Sequence, residues 1–408
     1  MKNSYDILIL GGGAAGFFTA INASVAQPKA TVCILERGKD VLQKVRISGG
    51  GRCNVTHAQW EPKELTGNYP RGHRELLGPF HSFMSGDTVG WFADRGVELK
   101  IEEDGRMFPV TDSSQTIIDT FMNESRGQGH DLRTSQTVQS IEKEDNLFVV
   151  RTQDQIYQAR YVVVTTGSNP KVWKLLESLD HEMVGAVPSL FTFVIKDPLI
   201  TQLPGVSTAA SVSIADHKLE ASGPLLITHK GLSGPAVLKI SAWGARELAA
   251  CQYTFDIAVN WLDDREHEDV LNHLKSIRSS NPKQNLRNLQ MDLPKRLQEQ
   301  LIQRSGLQTT DRIADMSNVQ LDNLATTLTA CRFRVSGKNT FKEEFTTAGG
   351  VALKQVNFKT FESRVMPNLF LAGEVLDIDA VTGGFNFQNA WTGGYLIAQE
   401  LGKRLAAG

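Results

Sequence analysis

Gly11-Gly12-Gly13-Ala14-Ala15-Gly16 is the stretch whose reading decides the fold. The apolar run Ser4-Tyr5-Asp6-Ile7-Leu8-Ile9-Leu10 enters it and reads as a short buried strand. A helix over about 14–26 leaves it, and Thr31 to Leu35 reads as a second, parallel strand. In this GxGxxG order Gly11 permits the tight turn and Gly13 lets a pyrophosphate approach the backbone. Gly16 lets helix and strand pack closely, and the helix N-terminus offers N–H groups to the phosphates. A bare GxGxxG is as often a simple glycine turn. The strand-turn-helix context favours a nucleotide site, and Glu36, 20 residues after Gly16, strengthens it. A carboxylate there binds ribose hydroxyls and disfavours a 2′-phosphate.

The fingerprint alone leaves NAD and FAD open, so the segments further out matter. Lys44-Val45-Arg46-Ile47-Ser48-Gly49-Gly50-Gly51-Arg52-Cys53-Asn54 is a second glycine-rich segment carrying Lys and Arg. Such a segment suits a backbone passing close to a flat, partly anionic ligand. FAD is longer than one mononucleotide site and needs contacts beyond it. Near the other end, Leu369-Phe370-Leu371-Ala372-Gly373-Glu374 reads as a strand ending in glycine and an acid. Thr382-Gly383-Gly384-Phe385-Asn386-Phe387-Gln388 then opens a helix that runs to about Leu405.

Four spaced motifs carry a family resemblance. Gly49-Gly50-Gly51-Arg52-Cys53-Asn54, Gly231-Leu232-Ser233-Gly234-Pro235, Thr347-Ala348-Gly349-Gly350-Val351 and Gly373-Glu374-Val375-Leu376-Asp377 follow one another in this order. From residue 5 to about 400 the chain resembles the aminoacetone-oxidase-like family of FAD-binding flavoproteins. The resemblance implies non-covalent FAD. Gly11, Gly13, Ala14, Ala15 and Gly16 would hold its pyrophosphate, Glu36 and Arg37 its adenosine ribose, and Val138 its adenine through the backbone. Lys44 and Ser48, Gly49, Gly50, Gly51, Arg52, Cys53 and Asn54 would lie along the flavin half, with Thr166 and Gly167 on the ribose side. Gly373 and Glu374 would meet the ribityl chain, and Gly384, Phe385 and Asn386 the isoalloxazine. Two departures from the family pattern, Thr56-His57 for Thr-Asn and Phe385-Asn386-Phe387 for a Tyr-Asn-Leu ending, concern the substrate face.

The 408 residues exceed the roughly 250–300 at which one core stops growing, so several domains are expected. The expected fold is α/β. A Rossmann-like FAD-binding domain of the two-dinucleotide-binding flavoprotein type takes residues 1–189 and 346–408. A β-rich middle domain takes 190–263 and 329–345, and a helical subdomain takes 264–328, where leucines recur at helical spacing. Residues 86–127 read as helical around one short strand, and 131–134, 137–142, 147–151 and 155–165 as strands.

A net charge of -2 gives no global attraction to nucleic acid or anionic membrane. The cysteines Cys33, Cys53, Cys251 and Cys331 are widely spaced, which argues against a disulfide scaffold or metal site and fits a reducing, cytoplasmic setting. No stretch reads as a signal or membrane span. Cys53 lacks the second cysteine of a disulfide reductase, and His57, His73 and His229 each read more readily as hydrogen-bonded or surface residues than as bases. The catalytic residues therefore stay unassigned.

Lys275, Arg278, Lys283, Arg287, Lys295, Arg296 and Arg304 form a basic stretch without interleaved aromatics, which favours a solvated face over RNA contact. The expected function is hydride transfer between FAD and a small organic substrate or NAD(P)H. With no second GxGxxG, NAD(P)H would bind transiently. The alternative is an RNA-associated flavoprotein that docks tRNA through the basic helices.

Overall fold

The computed structural model describes residues 3–339 and 346–407. These divide into two compact units, one running to Val187 and resuming at Thr346, the other beginning at Pro188. Residues 340–345, assigned from sequence to the middle domain, lie outside the described residues, as do 1, 2 and 408.

The first unit is built on the strand Ser4–Leu10. It pairs in parallel with Val32–Leu35 on one side, Leu10 opposite Leu35, and with Ile156–Val164 on the other, Leu10 opposite Val164. Asp131–Arg133 and Leu369–Leu371 extend the parallel sheet at its two sides. A parallel sheet is covered on both faces, which asks for continuous apolar runs rather than alternation. Ile7 to Leu10, Val162 to Val164 and Leu369 to Leu371 are such runs, all fully buried. Each such side chain contributes roughly 1.5–3 kcal/mol on burial. The earlier half of Ile156–Val164 turns its second edge to an antiparallel meander, Val138–Glu144 and Leu147–Thr152.

Two helices that begin at glycine turns lie against each other. A Cβ at Gly394 would stand 3.0 Å from Thr19 Oγ1, and one at Gly402 2.6 Å from Ala26 Cβ. Small residues therefore let Ala14–Ala26 and Phe385–Ala407 approach closely. An aromatic layer fills the adjoining space: Phe18 lies 4.6 Å from Trp91 and 5.2 Å from Trp391, and Phe121 lies 5.5 Å from Trp391.

The stretch 86–127 departs from its sequence reading. Ser85–Ala93 and Ser114–Gly127 are helices, but Leu99–Ile101 and Arg106–Pro109 form a hairpin, joined by Thr56–His57 into a small antiparallel sheet. The helices Pro62–Thr66, His73–Phe80 and Pro170–Glu177 were not foreseen.

The second unit holds a closed barrel in the order Thr192–Ile195, Gly231–Ser233, Leu219–Thr228, Ser207–Ile214, Thr254–Asn260, Cys331–Asn339. The glycines of Gly231-Leu232-Ser233-Gly234-Pro235 serve its backbone packing, since a Cβ at Gly231 would fall 1.9 Å from Phe193 O and one at Gly234 2.5 Å from Pro224 O. The helices His267–Ser280, Lys295–Arg304 and Asn318–Thr329 account for the leucine periodicity. They do not form a core of their own: Leu274, Leu301 and Leu324 share one cluster with Trp261, Phe255 and Val335 of the barrel. Part of the basic stretch is likewise structural. Arg278 donates to Met316 O, Arg296 to Gln202 O, and Arg304 pairs with Asp197, whereas Lys283, Arg287 and Lys295 are exposed. Among the described residues no helix is long and apolar enough to cross a membrane, and no group of three or more His, Cys, Asp or Glu could hold a metal ion.

Candidate cofactor site

Three glycines stand just beyond the carboxyl ends of adjacent parallel strands, the place where open α/β sheets bind ligands. They are Gly11 after Ser4–Leu10, Gly167 after Ile156–Val164 and Gly373 after Leu369–Leu371, all with positive φ. Thr165 clamps the first turn, its hydroxyl lying 3.0 Å from Gly11 O and 3.1 Å from Leu10 O. The fingerprint glycines divide by role. A Cβ at Gly11 would lie 2.6 Å from Thr165 O, and one at Gly16 2.1 Å from Gly11 O, so both positions exclude a side chain for packing reasons. A Cβ at Gly13 would meet nothing within 4 Å. Its bareness answers to something outside the protein.

Beside the first glycine turn a pocket is lined by Gly11, Glu36, Arg37, Val138, Thr166 and Asn169, among others. Glu36 is fixed by backbone: Oε2 accepts from Gly12 N at 2.9 Å and Oε1 from Gly38 N at 2.7 Å. Each oxygen keeps lone-pair capacity toward the pocket. Thr166 Oγ1 is buried with no hydrogen-bond partner, although buried polar atoms normally have one.

In the second glycine segment, Gly49, Gly50 and Gly51 take φ of 57°, 69° and 85°. Three successive left-handed residues reverse the chain, a course that only glycine follows without strain. A Cβ at Gly50 or Gly51 would meet nothing within 4 Å. Ser48 Oγ donates to Val45 O at 2.9 Å, and Lys44 forms an ion pair with Glu374. Arg52, expected along the flavin half, has its guanidinium 3.9 Å from the Phe108 ring centroid and paired with Glu102 at 2.6 Å and Asp112 at 3.4 Å. Arg46 donates to Gln115 at 2.8 Å. Cys53 is fully buried, and burial pushes its thiol up to about 12. Thiolate chemistry therefore needs unfolding. A maleimide should modify native protein at the half-buried Cys251 well before Cys53, and peptide mapping of labelled protein checks this.

The second glycine segment closes against residues far apart in sequence. With its amide oriented so that Nδ2 donates to Thr56 O (3.0 Å) and Met107 O (3.3 Å), Asn54 accepts from Gly384 N at 2.9 Å. Gly384 has φ of 90°, and a Cβ there would stand 2.6 Å from Thr56 O. Thr56 and Thr88 donate to Gln388 Oε1 at 2.6 and 2.9 Å. Asn386 turns to the preceding loop, bonding Ala380 N at 3.0 Å and Ala380 O at 3.3 Å. The carbonyl of Phe385 accepts from Tyr69 O–H at 2.6 Å, and its ring meets His57 edge-on at 4.6 Å. Phe385 and Asn386 thus shape the helix entrance with their side chains, while the first N–H groups of the helix remain for a ligand.

The chain has the FAD-binding Rossmann fold, and these residues fit that cofactor: Gly13 leaves room for a pyrophosphate, the Thr166 hydroxyl lacks a partner among the described residues, and Gly50 and Gly51 leave open space along a second cradle. Sequence reasoning missed Thr165, Asn169, Tyr69 and Gln388. Asn169-Pro170 carried a local signal, an Asn N-cap (accepting from Lys171 N) before a first-turn proline. The others carried none. The Thr347-Ala348-Gly349-Gly350-Val351 motif serves chain crossing, since a Cβ at Gly349 would lie 2.7 Å from Gly185 O and one at Gly350 2.5 Å from Leu376 C.

The family model described as HI0933-like protein Rossmann domain matches residues 5–400. The chain is 31% identical to the ribosomal RNA dihydrouridine synthase of Escherichia coli over 97% of its length and 98% of that protein. It is 27% identical to a 3-dehydro-bile acid delta(4,6)-reductase of Clostridium scindens, over 97% of this chain and 98% of the other. Among solved structures, the 3-ketosteroid-delta4-(5alpha)-dehydrogenase of Rhodococcus jostii superposes with a TM-score of 0.53 at 12% identity, covering 98% of this chain and 97% of that one. That likeness shows a shared fold.

Proposed function

We propose, for a chain that belongs to the HI0933-like family, an FAD-dependent reduction of a carbon–carbon double bond conjugated to a carbonyl, with uracil in ribosomal RNA as the substrate. The observation that carries this reading is the common chemistry of two full-length relatives joined to the flavin cradle described above. Dihydrouridine differs from uridine by two hydrogens across a double bond conjugated to a ring carbonyl, and a Δ4,6 bond pair in a 3-oxo steroid is conjugated in the same way. Uracil takes precedence because the identity to the synthase is higher.

FAD, when bound, would supply a two-electron carrier between NAD(P)H and the double bond, a hydride going to the carbon β to the carbonyl and a proton from solvent to the α carbon. The chain's contribution is positional and electrostatic. Arg46 and Arg52 are engaged with Gln115, Glu102 and Asp112. The free N–H groups and dipole at the start of Phe385–Ala407 are left to favour negative charge at the ring edge, by about 0.3–1 kcal/mol when exposed and up to roughly 2 when partly buried. Burial holds the Cys53 thiol in its protonated form.

Purified yellow protein supplied with NADPH or NADH and protein-free ribosomal RNA should add the mass of two hydrogens to uridine, read by nucleoside mass spectrometry. Parallel arms use a steroid dienone and an amine panel, the latter representing the aminoacetone-oxidase resemblance. Oxygen uptake driven by an amine, with uracil untouched in every RNA, would overturn the reading.

A further inference from the structure

His57 is held in a way that leaves one ring nitrogen with a single use. Its Nδ1 lies 2.7 Å from Gly105 O, and a carbonyl only accepts, so Nδ1 carries the proton. Gly105 has φ of +83°, and a Cβ there would fall 2.3 Å from His57 Cε1. Only glycine leaves room for the imidazole. The Phe385 ring meets it edge-on at 4.6 Å, which holds the ring plane. Burial lowers the pKa of His57; Asp104 opposes this and Arg106 adds to it. The ring is therefore neutral near pH 7, and Nε2 is a bare lone pair with no hydrogen-bond partner among the described residues. The same short strand passes Gly384, where Thr56 O would be 2.6 Å from an added Cβ, so His57 stands beside the glycine turn that opens the last helix.

We infer that His57 is a binding residue whose Nε2 accepts the N–H of an imide, the O=C–NH–C=O edge shared by uracil and by the flavin's own pyrimidine ring. A fixed acceptor without a donor function suits that edge and discriminates against a carbonyl compound lacking N–H. The inference rests on the proposed uracil reduction where the substrate arm is concerned, and on FAD binding alone where the flavin arm is.

The test compares wild type, His57→Phe and His57→Gln on partners with and without an N3 methyl group. In the substrate arm the holoenzyme is given RNA oligonucleotides carrying uridine or 3-methyluridine. In the flavin arm the full chain, stripped of flavin, is titrated with FAD or 3-methyl-FAD and binding is read from flavin fluorescence. Wild type should prefer the N–H partner over its N-methyl counterpart by roughly tenfold to a hundredfold in one arm, in KM or in Kd. His57→Phe should lose that preference, and His57→Gln, whose amide oxygen accepts, should restore part of it. A loss of packing alone weakens both partners equally and leaves their ratio unchanged. A ratio near one for wild type in both arms, or a ratio unaltered in His57→Phe, overturns the inference. If no uridine is reduced by wild type, the proposed reaction fails while the flavin arm still decides the role of His57.

Discussion

Gly13→Val is expected to give a folded, colourless protein. The residue caps Ala14–Ala26 with φ of -95°, a conformation valine adopts readily, and an added Cβ meets no protein atom within 4 Å. The protein fold therefore has no reason to reject the substitution. The pyrophosphate does, because the new methyl groups occupy the space beside the helix N-terminus that it needs. Overpacking costs about 1–3 kcal/mol, which is roughly fivefold to 150-fold in FAD affinity before any lost N–H contact is added. Gly16→Val provides the contrast. Its Cβ would lie 2.1 Å from Gly11 O, so that variant should fail to fold rather than fold without flavin. Flavin absorbance per mole of protein and a circular dichroism melt separate the two outcomes. A yellow Gly13→Val protein with full occupancy would sink the assignment of the phosphate site.

The contrast also shows what could be read from sequence. Gly11, Gly13 and Gly16 carry their meaning within six residues, because strand, turn and helix impose the spacing locally. The parallel strands were readable for a similar reason: a sheet buried on both faces leaves uninterrupted apolar runs such as Val162 to Val164. Arg52 shows what the segment's sequence leaves unsaid. Three left-handed glycines reverse the chain and carry its guanidinium onto Phe108, a course that the residue types alone do not specify. Leucine periodicity marked the helices of 264–328, but their sharing of one core with the barrel is a tertiary fact with no local trace. Contacts such as Asn54 with Gly384, or Thr56 with Gln388, join residues more than 300 positions apart. Nothing near either residue announces the other.

Asp379→Ala is expected to cost about 3–5 kcal/mol of stability, the usual consequence of leaving one member of a buried ion pair without the other. The Asp379 side chain is fully buried and that of Arg71 only 11% exposed. Their contact is two-pronged, Nε to Oδ1 and Nη2 to Oδ2. It does not stand alone: Arg71 and Asp379 form a short antiparallel bridge, and Val381 N donates to Asn68 O at 3.0 Å. The pair thus fastens the loop that leads into Gly383-Gly384 and the last helix. For a domain of 150–250 residues a cost of 1 kcal/mol lowers the melting temperature by roughly 2–4 °C, so a fall of about 6–20 °C is expected. Asp379→Asn should fall nearly as far, because it keeps the shape but removes the charge that Arg71 needs. The double variant Arg71→Met with Asp379→Leu should regain part of the loss, since apolar pairs of similar volume often match buried ion pairs. Flavin retention in that variant, measured well below its melting temperature, then separates two roles. If FAD is held normally, the pair serves the fold. If flavin is lost while the fold is restored, the loop must be placed by charge, and the pair belongs to the cofactor site.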